Sequence, residues 1–339
     1  EGEVDIPMTS AVIQGIMPTI MFPFKIGEMF EEIGSVRQDR RAAIGASLRY
    51  RTPLMPMRVR LELPEMRETR EFNYEIWPHR FYGPYMAIIA WMDAIEANDR
   101  SSGPVTLESK LDIHLAGGRV ISRRDFYSGD STPVLMAGYP LLDQLGTLFN
   151  NPFAPVKVER IEMQGRLRQR TDLAILINAE LDRPSYRPGE TARIRLWVQQ
   201  WQGGISELSI PFEVPRDLDD GSYSLQINDG SSRERMEYQR RPYLNQPMTL
   251  DQLIDRFQVA YPTNALYLTL MRPTQGLAVG DQPMPDLPGS VFGAMSQSAR
   301  AHTTMPIQTV LIREIHKEFP YEIGGGRSLT LNVDHLRID

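Results

Sequence analysis

Five histidines, His79, His114, His302, His316 and His335, are the side chains best suited to bind a metal or move a proton near neutral pH, and they lie far apart. None forms an i,i+4 pair or an H-E-x-x-H signature, so a histidine metal site would have to be assembled by the fold. His114 alternates within a strand-like run and reads as a partly exposed strand residue. A serine nucleophile would sit on a strained G-x-S-x-G turn beside oxyanion-hole amides, and no such turn occurs. Gly129-Asp130-Ser131 and Gly289-Ser290 read as loops, and with only Lys25, Lys110, Lys157 and Lys317 available, a Ser–Lys dyad has few bases. Cysteine is absent, which removes disulfides, thiolate zinc sites, iron–sulfur clusters and thiol nucleophiles together. The residues therefore name no catalytic group and no cofactor.

Weaker constellations remain. Asp217, Asp219 and Asp220 gather three carboxylates of the kind that hold calcium, but without EF-hand spacing and where a sandwich needs a connecting turn. Gly324-Gly325-Gly326-Arg327-Ser328 lacks the spacing and lysine of a phosphate loop, and is expected to be a hairpin turn. Arg166, Arg168 and Arg170, with Arg160 before them, share one strand face and are balanced by Glu159 and Glu162, which makes them a solvated face. The Trp197-Val198-Gln199-Gln200-Trp201 stretch suits carbohydrate or protein contact if exposed, and core packing if not.

The elements that would carry these residues follow from periodicity. Residues 1–75 read as short strands with tight turns, among them Val12 to Met17 and Ile20 to Phe24. A hairpin stands out where Met57, Val59, Leu61 and Leu63 alternate with charged residues, and again at Phe72, Tyr74 and Ile76 after a loop at Pro64 to Glu68. From Pro84 the period becomes helical, with Tyr85, Ile88, Ile89, Met92 and Ile95 as the expected face. A strand near Val105 to Leu115 and a short helix over Leu141 to Phe149, stopped at Asn150-Asn151-Pro152, come next.

Five strand-length runs then suggest a β-sandwich: Val156 to Met163, Asp172 to Leu181, Ala192 to Val198, Glu207 to Val214 and Tyr223 to Ile227. Pro211 marks the fourth as an edge strand, and Pro188-Gly189 and Asp229-Gly230 supply turns. Thr249-Leu250-Asp251-Gln252 is a capping box for a helix whose face is Leu250, Leu253, Ile254 and Phe257. Residues 272–306 are rich in Pro, Gly, Ser and Gln with little periodicity, and read as a long loop; two strand-like pieces close the chain.

The chain's 339 residues leave room for about two self-sufficient domains. With 26 prolines and 25 glycines it favours strands and loops over a helical bundle. A net charge of −6 lacks the basic field of a non-specific nucleic-acid binder, and no apolar run reaches membrane-helix length. The start at Glu1-Gly2-Glu3, without initiator Met or leader pattern, suggests processing or a longer parent. The fold class expected is mainly β with minor α: a barrel-like or mixed module over 1–155, an immunoglobulin-like sandwich over 156–240, and a C-terminal extension over 241–339.

Two stretches resemble known families. Val4-Asp5-Ile6-Pro7-Met8-Thr9-Ser10-Ala11, Phe22-Pro23-Phe24-Lys25 and Ser35-Val36-Arg37-Gln38-Asp39-Arg40 resemble bacterial SpoIVB-like serine peptidases, and the likeness runs on through Phe72 to Ile76 and Asn150 to Phe153. That family's Gly-Met-Ser-Gly-Ser-Pro nucleophile turn and its Gly-His turns are absent, so no catalytic residue carries over. Leu181-Asp182-Arg183-Pro184-Ser185-Tyr186-Arg187-Pro188-Gly189-Glu190-Thr191 resembles the opening of macroglobulin-type and other immunoglobulin-like domains. These resemblances imply a non-catalytic, periplasmic or extracellular bacterial binding and assembly protein, with Arg37, Asp39, Arg40, Trp197 and Trp201 as interaction candidates. Its expected partner is another protein or an upstream fragment of the same precursor, without nucleic acid or a transmembrane segment. The alternatives are a processed serine peptidase whose Ser and His lie upstream, and a homo-oligomeric surface or filament subunit interlocked by 272–306.

Overall fold

A computed structural model describes residues 2–17, 24–40, 42–97, 103–130, 132–279, 282–297 and 304–336. The first three strands, β1 (Gly2–Met17), β2 (Phe24–Arg40) and β3 (Ala43–Ser47), form a separate antiparallel sheet in that order. β1 and β2 are longer than the short strands expected, and most of the expected strand Ile20 to Phe24 lies outside the described residues. Next come β4 (Met55–Leu63), β5 (Glu68–Ile76), α1 (Tyr82–Glu96), β6 (Pro104–Leu115), β7 (Val120–Asp130), α2 (Thr132–Phe149) and β8 (Val158–Arg168). Their strands make a five-stranded sheet ordered β5-β4-β8-β6-β7, in which only β4 and β8 run parallel.

The alternation in β4 is complete. Met55, Met57, Val59, Leu61 and Leu63 are buried, and Pro56, Arg58, Arg60 and Glu62 are exposed. The apolar face packs under α1 and α2, whose centre is the fully buried Trp91 with its indole N–H donating to Val134 O at 2.9 Å. Two glycines make room for that ring. A Cβ on Gly165 of β8 would meet Leu61 at 2.8 Å and Trp91 at 2.9 Å, and one on Gly138 of α2 would meet Ile88 at 2.7 Å. The face of α1 turned inward is Pro84, Ala87, Ile88, Trp91, Ala94 and Ile95. Tyr85 and Ile89, expected inside, are exposed.

The rest of the chain builds a β-sandwich. One sheet takes β9 (Leu173–Leu181), β11 (Thr191–Gln200), β12 (Ile205–Glu213) and β17 (Glu322–Gly324), in the order β12-β11-β9-β17, with Pro211 on an edge strand as expected. The facing sheet takes β10 (Ser185–Tyr186), β13 (Gly221–Asp229), β14 (Ala265–Val279), β15 (Gln282–Met284), β16 (Thr304–Glu318) and β18 (Gly326–Val333). Three expectations change here. The run Val156 to Met163 belongs to β8, the middle strand of the five-stranded sheet. Segment 272–306 holds the end of β14, β15, α5 (Gly289–Ser296) and the start of β16, with β14 and β16 paired as an antiparallel hairpin. The sandwich core draws on Leu266, Leu268, Leu270, Leu331 and Val333, so the C-terminal hundred residues complete it.

The triple glycine is a corner between sheets. It joins β17 (Glu322–Gly324), parallel to β9, to β18 in the facing sheet, with Gly325 at φ +99 and its N–H donating to Asp229 Oδ2 at 2.7 Å. Asp229 also caps α3 (Gly230–Arg240), accepting from Ser232 N at 2.7 Å, so Asp229-Gly230 opens a helix where a turn was expected. The Asp182 to Gly189 stretch is tied by the buried Tyr186, whose hydroxyl donates to Asp182 Oδ1 at 2.8 Å while the same oxygen accepts Arg193 N–H at 2.7 Å. Burial and that carboxylate push the Tyr186 phenol up to about 12.

Candidate functional site

The three-stranded sheet is held at its base by a polar knot. Thr52 Oγ1 donates to Ser35 Oγ at 2.8 Å, Ser35 Oγ donates to Tyr50 O at 3.0 Å, and Tyr50 Oη donates to Asp5 Oδ2 at 2.9 Å. The Arg37 guanidinium lies 4.0 Å from the Tyr50 ring centre and 3.4 Å from Asp5. Arg37 is thus spent on fastening the sheet, whereas Asp39 and Arg40 at the end of β2 are exposed.

Beyond the knot the sheet buries almost nothing. Among the described side chains neither large apolar cluster takes one from it, and Val12, Ile13, Met29, Phe30, Ile33 and Ile44, with Leu48 just past β3, are exposed, Met29 by 73%. Among the described residues β1 pairs only with β2, so its other edge presents backbone N–H and C=O groups outside any ladder. From Met8 to Met17 that edge has no charged residue and no proline, the two devices that usually protect such strands. On β2 beside it stand Glu28, Glu31 and Glu32. The arrangement can accept an added strand; it contains no group placed for bond-making chemistry.

The other candidates are dispersed. Trp197 lies half-buried on the outer face of its sheet, opposite Glu207, with Arg195 5.5 Å from its ring centre, and Trp201 is exposed in the next turn. Asp217, Asp219 and Asp220 do not converge. Asp220 instead receives His335 N at 2.8 Å and its ring at 2.6 Å, which holds the carboxyl below its usual range, and Asp219 O accepts from Tyr223. Among the described residues no three acidic or histidine side chains stand close enough to hold a metal ion.

The described histidines also part company. His79 Nδ1 accepts the amides of Phe81 and Tyr82 at 3.2 and 3.1 Å, His114 lies 3.8 Å from Glu162, and His316 stacks on Tyr267. His302 and Ser131 lie outside the described residues. Of the arginine face, Arg160 pairs with Glu162 as expected, whereas Arg168, largely buried, pairs with Glu108 and Arg170 with Asp172, neither of them an expected partner.

One cluster gave no signal in the sequence. Where β7 meets the sandwich, Arg123 bonds Asp125 at 2.6 Å and Glu234 at 3.3 Å, and Ser128 N donates to Glu322 Oε2 at 2.6 Å. Burial raises both Glu234 and Glu322, the latter to about 7. Thr263 Oγ1 accepts Phe126 N at 3.1 Å and donates to Phe126 O, closing the same seam.

The class defined by these features is a β-rich, sandwich-containing protein with one uncovered sheet. Compared with protein-family descriptions, curated proteins and solved structures, the chain matches none.

Proposed function

We propose that this chain is a non-catalytic binding and assembly protein that works outside the cytoplasm, related to SpoIVB-like peptidases and carrying an immunoglobulin-like sandwich. It binds by accepting an extended strand of a protein partner on the free edge of β1. The observation that carries this reading is that edge: ten successive uncharged residues, among them the exposed Val12 and Ile13, on a sheet whose described side chains join neither apolar core. Main-chain pairing supplies the affinity in such strand addition, and alternate side chains supply the specificity. Glu28, Glu31 and Glu32, against the single Lys25, favour a strand flanked by basic residues.

Hydrogen exchange on the full chain tests this, using a synthetic peptide of alternating valines flanked by lysines. Protection of the amides between Met8 and Ile13 is expected. The proposal fails if those amides gain no protection, or if a glutamate-flanked peptide protects them equally. Labelling of the chain by a serine-directed fluorophosphonate would refute its non-catalytic character.

A further inference from the structure

The helical layer over the five-stranded sheet has a largely apolar outer face. Phe81, Tyr82, Tyr85, Met86 and Ile89 along α1, with Met136 and Tyr139 on α2, are exposed, Ile89 by 62%. Within the two helices the only charged residues are Asp93, Glu96 and Asp143. From Tyr82 to Met92 α1 is apolar on every side, the pattern of a helix that is covered all round, and the sheet covers only one side. The rings at the start of α1 are already ordered: Tyr82 lies 5.1 Å from His79 and from Phe81, and Phe81 lies 5.5 Å from Tyr85. Rigid aromatic side chains of this kind anchor interface centres.

Charge along the stripe selects the occupant. Arg80 precedes its N-terminal end and Asp93 and Glu96 close its C-terminal end, with apolar residues between. Among the described residues neither Arg80 nor Glu96 forms an ion pair within the chain. Such a stripe is self-complementary. When two copies cross antiparallel about a two-fold axis, Arg80 of each faces the acidic end of the other, and Tyr85 and Ile89 flank the axis. At about 100 Å² each, seven half-exposed apolar side chains offer roughly 700 Å², close to the ~800 Å² that each partner gives to a standard interface.

We infer that the chain forms a two-fold homodimer through the outer face of α1 and α2. This surface is separate from the β1 edge, and the two proposals stand or fall independently. Native mass measurement and sedimentation on the full chain test it. The wild type is expected at twice the chain mass, and Ile89→Asp, a change at an exposed position, is expected to weaken association about tenfold or more with an unaltered circular dichroism spectrum. Arg80→Glu is expected to weaken the dimer, and Arg80→Glu with Glu96→Arg to restore it. A wild-type chain that stays monomeric at ~100 μM, well above the range of specific dimers, overturns the inference. So does a dimer indifferent to Ile89→Asp, or one abolished instead by Val12→Lys on β1.

Discussion

At Glu322 a carboxylate faces the Ser128 amide and the field of Asp229 in a buried seam, and burial is the main reason that its pKa climbs from 4.5 to about 7. The folded protein therefore binds a proton that the unfolded chain has released, and stability falls as pH rises between those two values. The extra stability is complete below pH 4.5 and gone above 7, and a gap of that size corresponds to about 3 kcal/mol. Glu322→Gln keeps the acceptor for Ser128 and removes the charge. Urea unfolding should find this variant equal to wild type near pH 4.5 and more stable by up to about 3 kcal/mol at pH 8. A difference that does not change with pH would show that the carboxyl stays ionised throughout. Nothing local marks this residue, because its partner amide lies 194 positions away in sequence. The Asp182–Tyr186 tie, by contrast, spans four residues, and its stretch was legible.

Elements divide in the same way between local and distant causes. The helix α4 (Leu250–Gln258) begins where the capping box places it, with Thr249 Oγ1 accepting Gln252 N at 3.2 Å and Gln252 Oε1 accepting Met248 N at 2.8 Å. Of the face that the spacing selects, Leu253, Ile254 and Phe257 are buried and Leu250 is half-buried. Thr249→Ala should cost about 1 kcal/mol by chemical denaturation, and Thr249→Ser much less; equal losses would mean that packing, not the cap, fixes this end. The hairpin of β4 and β5 was equally plain, since strict alternation leaves one reading. The inward face of α1 was not, because apolar residues surround that helix and small ones, Ala87 and Ala94, do the packing. Alternation identified β8 as a strand but could not say which sheet would take it. The β14–β16 hairpin stayed hidden because Pro273, Gly276 and Pro306 interrupt its pattern, although Leu277, Ala278 and Ile307 are buried.

Across the whole molecule the two cores share their boundary. α4 belongs in sequence to the segment that builds the sandwich, yet Leu253, Ile254 and Phe257 lie in the core beneath α1 and α2. With the Phe126–Thr263 and Ser128–Glu322 bonds this makes a seam that neither core can lose without exposing the other. Thermal unfolding should accordingly be one transition, with the fluorescence of the four tryptophans and far-ultraviolet dichroism superimposing and calorimetric and van't Hoff enthalpies equal. Two separated transitions would mean that the seam is weak. The candidate interaction surfaces became visible only at this scale, since an exposed Met29 or Ile89 is defined by what the rest of the fold leaves uncovered.

The position of α4 also sets an order of events during synthesis. All strands of the five-stranded sheet have left the ribosome once Arg168 has emerged, but the core beneath its helices lacks Phe257 until about ninety more residues are made, on the order of ten seconds at ordinary elongation rates. Through that interval the nascent chain carries an open apolar seat, and a chaperone that binds apolar segments has its clearest opportunity there.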